Sequence, residues 1–325
     1  MIMGSAILST STPIASLRRA TGTLLISAVA ILMLCAPLLV YPLFLIKILC
    51  FVLFAAAFNL VLGYAGLLSF GHAAFFGGGA YIAAHAAKVW HLPFELAILA
   101  GTAFAAMIGL AFGTLAIRRH GIYFAMITLA LAQMVYFLAV QMPFTGGEDG
   151  IQAVPRGYLL GIVDLSSITA MYYTVLGGVA IGLLIIWRAV NSPFGHVLSA
   201  IRENEVRVTS LGLKPDHYKL IAFTLSAALS GFAGALKAMA FQLASLVDVT
   251  WHMSGEVILM TLLGGMGTLI GPVVGASIVV GLEHFLATSG LPITFIIGLF
   301  FVVCVMTFRR GLFGELKALL ERRQA

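Results

Sequence analysis

For nearly its whole length the chain alternates apolar runs of about twenty residues with short polar interruptions. The run 23–41, TLLISAVAILMLCAPLLVY, is one example. A hydrocarbon core about 30 Å thick takes about 20 apolar residues per helix. With 61% hydrophobic and only 9% charged residues, and a mean hydropathy of +1.09, the chain has too little polar surface to cover a soluble globule of this size. Lipid is therefore the solvent for most of its outer surface.

The polar interruptions predict an all-α polytopic membrane protein of about ten helices, near 22–42, 43–62, 64–87, 94–117, 121–142, 171–188, 219–242, 254–267, 269–286 and 291–308. The segment 254–267 is short and ends in glycines, so it is expected to be bent or re-entrant. Run 23–41 is too long for a signal-peptide core and reads as the first span. The net charge of +6 does not mark a nucleic-acid binder, because the basic residues form small clusters between apolar runs. Fourteen of them, from Arg18 and Arg19 through Arg118, Arg119, Arg188, Arg202, Arg207, Lys214 and Lys219 to Arg323, fall on one side of this topology. Lys88 and Arg156 fall on the other. The positive-inside rule then places both termini in the cytoplasm. The expected organisation is a single transmembrane domain over 1–325, with cytoplasmic segments at 1–21, 189–218 and 309–325. Cys35, Cys50 and Cys304 lie in apolar runs without metal or disulfide spacing and read as small hydrophobic residues.

Residues 58–87 contain six glycines and two histidines where a plain anchor would use leucine. Small residues let helices touch in lipid, and adjacent glycines at 77–79 weaken a helix by up to about 1 kcal/mol each. Freed backbone at membrane depth must be buried in protein or face water. Tight packing and a transport pathway both meet that condition. His72 and His85 likewise fit either a backbone carbonyl partner or a substrate contact. Lys47, Lys237, Glu256 and Glu283 fall near outer helix ends, within snorkelling reach of water, so no chain of acids crosses the midplane. The stretches LGYAGLLSFG (62–71) and LGGMGTLIG (263–271) look alike and are candidates for an internal duplication.

Two polar loops stand out. In 191–219, Phe194, Leu198, Ile201, Val208 and Leu211 recur near a 3.6-residue period, and Gly212 with Pro215 forms a stop signal. The pattern predicts a short amphipathic helix broken near Asn204, either lying on headgroups or acting as a lever for a soluble partner. In 143–170, Glu148 and Asp149 fit either a solvated turn or a docking surface.

Four stretches carry a family likeness: GYAGLLSFGHAAFFGGGAYIAA, FTGGEDGIQAVPR (144–156), AIRENEVRVTSLGLKPDHYKLIAFTLSAALSGFAGAL (200–236) and LLGGMGTLIGPVVGA (262–276). Kept in this order over about 55–290, they resemble the LivM-type permease subunit of branched-chain amino-acid ABC importers. The resemblance implies a multi-pass protein of the bacterial cytoplasmic (inner) membrane. Its implied partners are a LivH-like permease, two ATP-binding subunits and a periplasmic substrate-binding protein. It implies that Arg202, Glu203, Asn204, Glu205, Arg207, Leu211 and Gly212 belong to the loop that couples to the ATPase. Gly66, Gly71, His72, Phe75, Phe76, Gly264, Gly265, Gly267 and Gly271 are the expected pathway or packing residues. Thr145, Gly146, Gly147, Glu148, Asp149 and Gly150 are the expected docking face for the binding protein.

The residues agree with that division of labour. No G-x-x-x-x-G-K-[ST] motif occurs, and no lysine follows a glycine, so a phosphate cradle is not expected here. No metal-ligand or paired-carboxylate motif marks an enzyme. No cofactor is expected on this chain, with ATP and Mg on partner subunits. Related permeases carry urea, short amides or aromatic acids, and nothing in the apolar runs separates those substrates. A stand-alone secondary carrier or channel is the other reading.

Overall fold

The computed structural model describes residues 33–287, 293–307, 311–312 and 314–315. The expected segment 1–21 and most of the expected first span, 22–32, lie outside the described residues, as does most of the expected tail, including Arg322 and Arg323.

Helix positions follow the apolar runs. They are α1 (Pro42–Asn59), α2 (His72–Lys88), α3 (Phe94–Ala116), α4 (Ile122–Gln141), α5 (Ile168–Val190), α6 (Pro193–Glu203), α7 (Glu205–Ser210), α8 (Pro215–Phe241), α9 (Trp251–Gly264), α10 (Gly271–Ala287) and α11 (Ile293–Thr307). Proline opens α1, α6 and α8 in the first helical positions, where its missing N–H costs nothing. A π-helical turn, Leu60–Tyr64, extends α1. Among the described residues, five helical stretches, Pro42–Tyr64, α3, α4, α5 and α8, are long and apolar enough to cross a membrane. The described chain is thus an all-α polytopic membrane fold. At 1.5 Å per residue, the 14 residues of α9 reach only about 21 Å, so α9 alone does not cross the core.

Burial separates centre from rim. In the most apolar windows of Pro42–Tyr64 and α8, 78% and 67% of residues are buried, against 28% in α4 and in α5. The central pair packs with α2, which the sequence expected to break at its glycines. It runs unbroken through Gly77–Gly79. The cost of those glycines is offset by close approach: a methyl on Gly79 would stand 2.6 Å from the Gly231 Cα, and one on Gly77 would strike Asp248 and Val249. The chain breaks earlier instead, over 65–71.

The all-α expectation needs one small correction at the end of the bundle holding the 143–166 loop. There β1 (Ile151–Gln152) pairs antiparallel with β4 (Leu243–Ala244), and β2 (Tyr158–Leu159) pairs with β3 (Val163–Asp164). Arg156 reinforces the first ladder by donating to the Ala240 carbonyl at 2.8 Å.

Candidate functional site

The two glycine-rich turns, remote in sequence, meet side by side at the end of the bundle that carries α6 and α7. Asn59, in the last turn of α1, holds them together. Its Nδ2 donates to the Thr268 carbonyl at 2.8 Å, and its Oδ1 accepts from Gly267 N–H at 3.0 Å. A lone amide in an apolar helix must find such partners. It was the signal in the sequence for a residue that the site assignments missed. Thr268 in turn caps α10, accepting from Gly271 N–H at 3.0 Å.

Into this junction reaches Arg202 of α6. Gly63 lies in the last turn before the helix ends at Tyr64, where carbonyls lack intrahelical partners, and the guanidinium donates to its carbonyl. Gly66 (φ +72°) and Gly267 (φ +74°) stand on either side. A methyl on the first would lie 3.1 Å from Arg202 Cγ, and on the second 3.1 Å from Nη1. Both positions need the left-handed backbone that glycine adopts without strain. One cationic side chain therefore bonds the polar loop to the first turn and lies against the second.

The loop breaks at Asn204, as its sequence predicts. Asn204 is the N-cap of α7, accepting from Arg207 N–H at 3.0 Å. Leu198, Ile201 and Val208 are buried, whereas Phe194 is half-buried and stacks on Tyr218. Leu211 departs from its expected apolar face: it is 75% exposed, and Val206 is 76% exposed. Glu203 and Arg207 are exposed beside them, and Gly212 (φ +82°) ends α7. Glu205 does not project freely. It pairs at 2.6 Å with Lys219 of α8, whose side chain is almost fully buried, and so clamps α7 onto the bundle.

The remaining pathway candidates are buried. Phe75 and Phe76 are fully enclosed, Gly71 lies against Thr128, and Gly264 packs on Gly271 with Gly265 (φ +115°) between the helices. His72 is buried with Nε2 2.9 Å from Ser226 Oγ, and Ser226 donates on to the Ala57 carbonyl. His85 Nδ1 donates to the Phe144 carbonyl at 3.2 Å, while its ring stacks on Phe144 at 3.7 Å. The histidines thus take protein partners.

At the opposite end, Gly146, Gly147 and Gly150 all have positive φ and turn the loop so that Glu148 and Asp149 form a short 3-10 turn. Thr145 does not face outward with them. It is buried, and its hydroxyl closes the end of α4 on the Ala139 and Met142 carbonyls, so it shapes the face from within. The Asp164 carboxyl, nearby in sequence, accepts from Ser166 and is held below its ordinary pKa by those bonds. Three of the four membrane-depth charges also take ionic partners: Lys47 pairs with Glu283 at 3.1 Å, and Lys237 pairs with Asp248.

Comparison with known proteins bears on this arrangement. The sequence profile of the family described as branched-chain amino acid transport system / permease component matches residues 41–308. The high-affinity branched-chain amino acid transport system permease protein LivM of Escherichia coli (strain K12) is 31% identical over 253 residues, 71% of this chain and 60% of that protein. LivM of Salmonella typhimurium is 30% identical over the same shares. The ribose import permease protein RbsC of Bacillus subtilis is 28% identical over 50% of this chain and 51% of its own length. The matched stretch thus spans about three fifths of the LivM proteins. No solved structure matches the chain significantly.

Proposed function

Because the chain belongs to the family of branched-chain amino acid transport system permease components, we propose that it is one half of the membrane pathway of a bacterial inner-membrane ABC importer. A LivH-like permease supplies the other half. A periplasmic binding protein delivers the substrate, a branched-chain or related small amino acid, and two separate ATP-binding subunits supply the energy. The chain itself carries out no hydrolysis. The observation that carries this reading is Arg202, which bonds an exposed helical loop to the first glycine turn and lies against the second.

In this reading α6 and α7 lie in the cytoplasm. The exposed apolar Val206 and Leu211, beside Glu203 and Arg207, make the surface an ATPase subunit grips. The Glu205–Lys219 pair makes α7 move with α8. Arg202 passes that motion to the turns at 65–71 and 265–270, where non-helical backbone bends more readily than a packed helix. The bundle alternates between outward and inward access as a result. On the periplasmic side, Glu148 and Asp149 offer negative charge to a basic rim of the binding protein, a contact that sets encounter rate more than affinity.

The LivM relatives favour amino acids over sugars, since the ribose permease matches less of the chain at lower identity. Urea, short amides and aromatic acids remain the alternative cargoes. The cognate binding protein decides among them. Leucine, isoleucine or valine is expected to raise its melting temperature by several degrees, as ligand linkage requires at about 100 Kd. Stabilisation by ribose or urea, with no response to these amino acids, contradicts the substrate assignment.

A further inference from the structure

A cleft of about 190 Å³ opens between α4 and the start of α9, lined by Gln133, Tyr136, Thr250, Trp251 and His252. Its depth follows from two contacts. Phe70 N–H donates to Thr128 Oγ1 at 3.1 Å, which sets Thr128 of α4 level with the start of α2. At 1.5 Å per residue, Gln133 and Tyr136 then lie about 8 and 12 Å further along α4. The 3-10 turn Leu246–Val249, which leads into Thr250, packs on Gly77, about 8 Å along α2. Both walls therefore meet near the middle of α2, whose 17 residues rise about 25 Å. The cleft lies at membrane depth, not at the rim.

Its chemistry does not suit lipid. Gln133 is half-buried and His252 exposed, and hydrocarbon offers neither of them a hydrogen-bond partner. Among the described residues, the side chains of Gln133, Tyr136, Trp251 and His252 make no hydrogen bond, while the Trp251 and His252 rings lie 3.9 Å apart. Only Thr250 is satisfied within the chain, donating to the Val247 carbonyl at 2.8 Å. Indole and phenol groups gather at membrane interfaces, where their polar ends meet water; here both stand at depth. The lining holds no Asp, Glu, Lys or Arg, and Asp248 beside it is buried and paired with Lys237. The volume falls below the range of about 300–1,000 Å³ that drug-sized ligands fill, and so fits a solute of fewer atoms.

We infer that this cleft is a binding station on the transport pathway for a small zwitterionic α-amino acid. The Gln133 amide both donates and accepts. Its oxygen accepts from the substrate ammonium, which lies against the ring faces of Tyr136 and Trp251. The Tyr136 hydroxyl and the Trp251 N–H donate to the substrate carboxylate. A zwitterion fits because it carries no net charge, whereas a charged solute is stranded in a lining without a counter-ion. The same lack of fixed charge keeps the hold weak, and a pathway site has to release what it binds. No covalent bond is made or broken. This assignment rests on the importer reading above.

The test uses the complete importer, with its binding protein, in proteoliposomes loaded with ATP. In a background of Cys35→Ala, Cys50→Ala and Cys304→Ala, Gln133→Cys is exposed to a membrane-impermeant cationic methanethiosulfonate. Labelling is expected, and millimolar leucine or valine is expected to slow it at least threefold. Ile181→Cys, on the exposed apolar side of α5, is the lipid-facing control. Labelling of Gln133→Cys no faster than of Ile181→Cys overturns the site, because a face sealed by lipid or by the partner permease gives that result. Labelling that leucine and valine leave unchanged, or that only urea slows, overturns it too. Should Gln133→Cys not assemble, Tyr136→Cys takes its place. With the three cysteines intact, Gln133→Leu keeps the size and removes the amide. It is expected to lower uptake of radiolabelled leucine at least tenfold with recovery of the assembled complex unchanged; uptake within twofold overturns the site. Failure of the importer reading looks different: the unsubstituted complex then takes up neither leucine nor valine, and this site falls with it.

Discussion

Arg202→Ala is expected to cut ATP-driven uptake by about 10- to 150-fold while the complex still assembles and still hydrolyses ATP. The side chain supplies a charge-assisted hydrogen bond to the Gly63 carbonyl, and such bonds contribute about 1.5–3 kcal/mol. That is the coupling lost when the link is cut. The bond joins an exposed loop to a π-helical turn rather than closing a core, so its loss separates motor from gate without unfolding either. Arg202→Lys keeps the charge but not the planar guanidinium that reaches the Gly63 carbonyl beside Gly267, and is expected to recover part of the uptake. Uptake and ATP hydrolysis measured on the same proteoliposomes check both variants. Equal loss of the two activities, or loss of neither, contradicts a coupling role.

Asn59→Leu is expected to have the second large effect, on stability. It removes two hydrogen bonds at once and leaves the Gly267 N–H and the Thr268 carbonyl without their partner at a part-buried junction. Stranded groups of this kind cost about 1–3 kcal/mol each. A loss of about 2–4 kcal/mol corresponds to a fall in melting temperature of the order of 5 °C or more. Asn59→Asp keeps the acceptor for Gly267 but cannot donate to Thr268, and is expected to lie between the two. Thermal unfolding of the purified protein in detergent, followed by size-exclusion profile, reads the difference. A variant as stable as the parent shows that the glycine turns do not depend on this bridge.

Local rules made much of the fold legible. The five long apolar helices of the described residues followed from apolar length, and the break at Asn204 from a capping residue between two short amphipathic stretches. What the sequence hid is long-range. Gly77–Gly79 looked like a helix breaker, yet the partners that make the run stable, Gly231 and the Asp248–Val249 turn, lie about 150 to 170 positions away. Lys47 and Glu283 read as two separate snorkelling charges, because nothing in their own helices shows that they meet. Leu211 kept the periodicity of its neighbours, but it lies just past the end of α7, a separate short helix after Asn204, and its side chain is exposed. Arg202 was legible as part of a polar loop, but its target, the Gly63 carbonyl 139 positions earlier, had no local signature.

The central claim is that this chain is a gate without a motor of its own. Flux of labelled amino acid into liposomes tests it most directly, comparing this chain with its partner permease alone against the full assembly with binding protein and ATP. The account predicts uptake only in the full assembly, and its loss when ATP is withheld. Robust concentrative uptake by the permeases alone contradicts it.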